Sequence, residues 1–151
     1  LNDAPMALAP VRIVLDANIV ISALLWRGAP HELLACLRQH SSVDLFSSST
    51  LLEELAAVLS RPAIAQRLTT IGKSSRDVLT DYVEAIELVE PIELPRVARD
   101  PDDNHVLACA LAANADVLVS GDADLLSLDT FRNIRILTAR QLLDRLERLG
   151  D

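Results

Sequence analysis

The chain uses one short device twice, and that device restricts the fold more than any other stretch. Val11-Arg12-Ile13-Val14-Leu15 is a brief apolar run that ends in Asp16, with Asn18 following and then an apolar segment of helical length, Ile19 to Leu25. Val117-Leu118-Val119 ends in the same manner, in Ser120-Gly121-Asp122-Ala123-Asp124. Short apolar runs bounded by turn residues read as buried strands. A strand that delivers a carboxylate at its carboxyl end belongs to an α/β sheet, where ligands gather along that edge. Turn and cap chemistry offers each acid a second role, because Asp and Asn favour both tight turns and helix N-caps.

Helical patterns fill the space between these strands. Ala29-Pro30 opens a helix with the stripe Leu33, Leu34 and Leu37, reaching His40. Val43 to Phe46 predicts another strand, followed by the cap-rich run Ser47-Ser48-Ser49-Thr50. A Thr50 to Glu53 capping box is expected to start the next helix, whose stripe is Leu51, Leu52, Leu55, Val58 and Leu59. At about 100° per residue, Glu53 falls opposite that stripe and Glu54 on its flank, beside the core. Arg61-Pro62 stops this helix, and a short one follows over Ala63 to Leu68. After a turn at Gly72, Ser74 or Ser75 caps a helix with the stripe Leu79, Tyr82, Val83 and Ile86. Leu88 to Ile92 is a candidate strand, held to an edge by Pro91 and Pro95.

The next helix begins at Asp100-Pro101-Asp102-Asp103, with Asp100 as N-cap and Pro101 in the first helical position. Its stripe is Val106, Leu107, Ala110 and Leu111; Asp103 projects onto the middle of it, with Asp102 about 100° away. A carboxylate on a core-facing stripe is costly unless it has a partner, which favours a functional role for Asp103 over Asp102. Ile134 to Leu137 predicts the last strand. Thr138-Ala139-Arg140-Gln141 is a second capping box, ahead of the stripe Leu142, Leu143, Leu146 and Leu149.

Strands alternating with helices predict an α/β fold, a three-layer α/β/α sandwich around a central parallel sheet of four to five short strands. All strand ends and following helix starts then share one edge, which collects Asp16 and Asp122 from strands with Glu54 and Asp103 from helices. Four carboxylates in one place repel unless protonated or bridged by cations. Oxygen ligands without His or Cys suit Mg²⁺ or Mn²⁺, one or two ions, and such ions serve phosphodiester hydrolysis well.

Composition narrows the partners. A net charge of -8 and four aromatic residues argue against a surface that coats nucleic acid or stacks bases. Cys36 and Cys109 sit in apolar helical patterns, which disfavours both a disulfide framework and a zinc site. No apolar run approaches the length of a membrane span, and the first ten residues lack a basic leader and an apolar signal core, so a cytoplasmic location is expected. Residues 1–10 are expected to be disordered or left over from expression, and residues 11–151 to form a single domain.

The same residues resemble a known family. Leu15-Asp16-Ala17-Asn18, Leu51-Leu52-Glu53-Glu54-Leu55, the run from Asp100 to Ala110 and the run from Val119 to Leu126 resemble the motifs of the PIN-domain ribonucleases, in the family's order. The similarity is greatest to the bacterial branch of toxin components of toxin-antitoxin systems. The resemblance implies a PIN-like fold and an endoribonuclease with catalytic, metal-binding acids at Asp16, Glu54, Asp103 and Asp122. It implies supporting roles for Asn18 and Ser120 and places a less regular acid at Asp124. It further implies one or two Mg²⁺ or Mn²⁺ ions activating water for in-line attack, with 5′-phosphate and 3′-hydroxyl products. An RNA substrate, a homodimer and a cognate antitoxin follow from it as well.

Other phosphate-handling designs fit poorly. A phospho-accepting receiver needs a lysine after its last strand, and Lys73, the single lysine, lies between helices; a haloacid-dehalogenase-type phosphatase needs an acid where Asn18 stands. The rival of a different class is a non-catalytic module of the same fold that binds a protein or RNA partner. His31 and His40 are expected to be solvated, and His105 to lie on the surface, since positions two apart from Asp103 do not share a helix face. Arg27, Arg96 and Arg99 are candidates for phosphate contacts, with surface pairing to acids the stronger expectation.

Overall fold

A computed structural model describes residues 10–93 and 100–148. The expected tail before Pro10, and Pro95, Arg96, Arg99 and Leu149, therefore lie outside the described residues. The elements run β1 (Val11–Leu15), α1 (Ala17–Leu25), α2 (Ala29–Gln39), β2 (Val43–Ser47), α3 (Ser49–Leu59), α4 (Pro62–Thr70) and α5 (Ser75–Ala85). They continue β3 (Glu87–Leu88), α6 (Pro101–Ala112), β4 (Val117–Val119), α7 (Ala123–Leu126), β5 (Thr130–Phe131), β6 (Ile134–Leu137) and α8 (Ala139–Arg148).

The six strands form one sheet in the order β3-β2-β1-β4-β6-β5, parallel throughout except for the β5–β6 pair. That is more strands than the four to five expected. The addition is a hairpin whose two turn residues, Arg132 (φ 48°) and Asn133 (φ 71°), adopt the left-handed backbone of a tight two-residue turn. Gly usually marks such a turn, and its absence hid the hairpin. The edge strand β3 is also shorter than expected, stopping at Leu88 and pairing only with Phe46 and Ser47.

Alternation along each strand divides the interior between two faces. Ile13, Leu15, Leu45, Val119 and Leu137 pack under the helices of one side, with Leu33, Leu37, Leu55, Tyr82, Leu142 and Leu146. Val14, Phe46, Leu118 and Ile136 face the other side, where α6 supplies Val106, Leu107, Cys109 and Ala110. From β1 the chain builds outward on one side to β2, then crosses back to place β4 on β1's other flank. The order reverses between β1 and β4, and the region beyond their carboxyl ends is where such sheets usually bind ligands.

Helix starts follow local chemistry. Ser48 caps α3, its Oγ accepting the N–H of Leu51 at 3.3 Å, so the expected Thr50–Glu53 box does not form and Thr50 lies inside the first turn. The Thr138–Gln141 box does form, with Gln141 N–H donating to Thr138 Oγ1 at 3.1 Å and Thr138 N–H to Gln141 Oε1 at 2.9 Å.

Candidate metal centre

Leu15 stands opposite Val119 in the ladder, so the residues after β1 and β4 arrive together. Asp16 N–H donates to the Val119 carbonyl at 2.9 Å and Ser120 N–H to that of Leu137 at 3.0 Å, carrying the ladder one step past the strands. Asp16 thus keeps extended backbone (φ -62°, ψ 145°) and, by alternation, falls on the Val14 face towards α6. It occupies the N-cap position of α1, yet its carboxylate makes no capping hydrogen bond. It accepts instead from Ser120 Oγ–H at 2.8 Å. Burial pushes its pKa up and Asp122's charge adds to the rise, while the Ser120 hydroxyl and the nearby N–H groups of Asn18 and Ala17 act in the other direction.

Ser120 is fully buried, and its hydroxyl joins the two strand ends: it donates to Asp16 and accepts the N–H of Asp122 at 3.0 Å. Asp122 then caps α7, its Oδ1 accepting Asp124 N–H at 2.7 Å. For this acid the capping role and a place beside the other carboxylates coexist. One carboxylate oxygen each from Asp103, Asp122 and Asp124 lie within 4.8 Å of one another.

Asp103 enters this group from α6. Asp100 caps the helix by accepting Asp102 N–H at 3.0 Å, and Pro101 fixes the first turn, leaving Asp103 rather than Asp102 on the inner side. Asp103 is only 5% exposed, and its Oδ2 is buried with no hydrogen-bond partner. Burial, then the charges of Asp122, Asp100, Asp16 and Asp124, push its pKa up to about 6.

Glu54 has different company. Its Oε2 lies 2.6 Å from Nδ1 of His105, and one ligand atom each from Glu54, Asp102 and His105 fall within 4.8 Å of one another. Burial raises the Glu54 pKa, the His105 hydrogen bond lowers it, and the Asp102 charge raises it again. The predicted acids therefore divide: Asp16, Asp103 and Asp122 gather with Asp124, while Glu54 pairs with His105 and Asp102. The first turns of α6 contribute to both groups.

His105 is exposed, as expected, yet it also reaches Glu54 on α3, and its Nδ1 lies 3.9 Å from Asp102 on the preceding turn. Asn18 is exposed, and its side-chain amide makes no hydrogen bond among the described residues. Arg27 is exposed and pairs with no acid among the described residues, contrary to the surface pairing expected.

The donor set fits a hard divalent cation. Every ligand in the Asp16–Asp103–Asp122–Asp124 group is a carboxylate, the chemistry of Mg²⁺ and Mn²⁺ sites. The orphaned Asp103 Oδ2 is an acceptor in a place from which water is excluded, and a cation would satisfy it and reverse the rise in pKa.

Comparison with known proteins identifies the fold. A family model described as a PIN domain matches residues 12–124, a span that holds Asp16, Glu54, Asp103, Asp122 and Asp124. No curated protein sequence matches the chain. Among solved structures, a chain from the crystal structure of VapBC2 from Rickettsia felis bound to a DNA fragment from their promoter aligns with a TM-score of 0.57. It is 16% identical, and the alignment covers 83% of this chain and 97% of that one, a likeness of fold. Among the described residues no helix is long and apolar enough to cross a membrane.

Proposed function

The chain belongs to the PIN-domain family, and on that premise we propose that it is a Mg²⁺- or Mn²⁺-dependent endoribonuclease whose working domain is residues 11–151. The observation that carries this reading is the buried, unpartnered Oδ2 of Asp103 amid the carboxylates of Asp16, Asp122 and Asp124. A partner-binding module has no use for that arrangement, which costs stability until a cation arrives.

Asp16, Asp103 and Asp122 would hold one or two ions, and Glu54, from its own group on α3, would be a further ligand. When bound, the ions supply charge neutralisation at the phosphate and a water acidic enough to attack at neutral pH. The chain's own part is positioning. Ser120 fixes Asp16 with its O–H and Asp122 through its N–H, so two acids from separate strands keep one spacing. The apolar face of α6 keeps water from Asp103 and strengthens its pull on a cation.

RNA is the proposed substrate, in the cytoplasm. The chain would act as the toxin of a toxin-antitoxin pair, with a cognate antitoxin and a second copy of itself as protein partners. The fold likeness to a chain of the VapBC2 complex supports an antitoxin partner. Incubating the protein and its Asp16→Asn variant with total RNA and Mn²⁺, then sequencing the new ends, tests the proposal. We expect cleavage by the parent that leaves 5′-phosphates, with a loss of at least about 100-fold in the variant, given the size of single-group contributions to such catalysis. Equal cleavage by both proteins overturns the assignment of Asp16; no cleavage of any RNA and no response to metal favours the binding module.

A further inference from the structure

We propose that His105 is a positioning residue, which holds Glu54 in place for the metal centre through an Nδ1–H···Oε2 hydrogen bond. This deepens the proposed function and rests on it. The contact joins α6 to α3 across 51 positions of sequence and, at 2.6 Å, is short even for a hydrogen bond to a charged acceptor.

The four acids differ in how they are restrained. Asp16 and Asp122 are short side chains fixed by strand ends and by Ser120, and Asp103 on α6 is buried. Glu54 has one more rotatable bond, stands on the flank of its helix and is 24% exposed at its side chain. Such a side chain loses considerable rotamer freedom when it is fixed. Asp102 adds a neighbouring like charge. His105 supplies the N–H that counters both effects. Because its own side chain is 44% exposed, replacing it leaves no cavity in the core.

The test is calorimetric titration of Mn²⁺ into five metal-free proteins: the parent, His105→Ala, His105→Asn, Glu54→Gln, and the His105→Ala/Glu54→Gln double variant. Asn is chosen because its amide can donate from nearly the position of Nδ1. Loss of His105 is expected to weaken Mn²⁺ binding about tenfold, as loss of a group that orients a ligand does. His105→Asn is expected to stay within about threefold of the parent, and His105→Ala to add less than about threefold in the Glu54→Gln background, because both changes remove one linkage. Parent-like binding by His105→Ala overturns the proposal. So do losses that multiply in the double variant, since His105 would then act independently of Glu54. If the parent itself takes up no Mn²⁺, the nuclease reading fails and this role fails with it, an outcome distinct from the other two.

Discussion

Ionising Asp103 in the metal-free protein puts charge on an oxygen that no donor meets, among four other carboxylates. The sign of the linkage follows from its pKa, which lies at about 6 in the folded chain and near 4 for an unperturbed aspartate. Its contribution to stability is therefore complete below about pH 4 and is lost as pH rises through about 6. Asp103→Asn removes the charge and keeps the shape. In chelator, the variant is expected to be more stable than the parent by about 1–2 kcal/mol at neutral pH, a gap that closes towards pH 4, as urea denaturation measures it. Added Mn²⁺ should reverse the order by stabilising only the parent. A parent at least as stable as the variant in chelator at neutral pH would remove the argument for a cation at this oxygen. Asp103 was legible in the sequence because a helical stripe has a geometry that one can count. His105 was not, because its partner lies on another helix and periodicity says nothing about which helices meet.

Secondary structure was legible wherever a pattern repeats and obscure where a single residue decides. For α3 the expected cap was Thr50 and the actual one is Ser48, yet Glu54 still falls on the flank of the stripe, with Leu51, Leu55 and Leu59 buried. The azimuth of a residue depends on its distance from the stripe and not on where the helix begins. Substitution separates the two caps. Ser48 also lies against the Cys109 thiol, whose pKa burial raises and this serine's hydrogen bond lowers. Ser48→Ala is therefore expected to cost about 1–2 kcal/mol. Thr50→Ala, inside the first turn, is expected to stay within about 0.5 kcal/mol of the parent or to gain slightly, because alanine is the better helix former. Equal losses in urea denaturation would return the cap to Thr50. The β5–β6 hairpin marks the opposite limit, since two non-glycine residues at positive φ carry no signal that sequence pattern can read.

Across the whole molecule, the order β3-β2-β1-β4-β6-β5 brings acids that follow β1 and β4, and acids of α3 and α6, to one edge, and such an edge repels a polyanion unless cations neutralise it. Part of the positive charge among the described residues is already engaged. The net charge is -8, Arg38 and Arg140 are paired with acids, and Arg12, Arg67 and Arg132 lie over Phe46, Trp26 and Phe131. A protein that grips a polyanion through many arginines releases many counterions and weakens steeply with salt, by about 0.7 logarithmic units per phosphate contact per decade for single strands. Here the attraction should come chiefly from the metal centre and not from a basic surface. At fixed Mn²⁺, kcat/KM on a single-stranded RNA is expected to fall less than about tenfold between 50 and 200 mM KCl, equivalent to about two phosphate contacts. It should instead collapse when chelator removes the metal at low salt. A fall of more than about 100-fold over the same range would mean that arginines carry most of the binding, and the acid-lined edge would then be where RNA is cut but not where it is held.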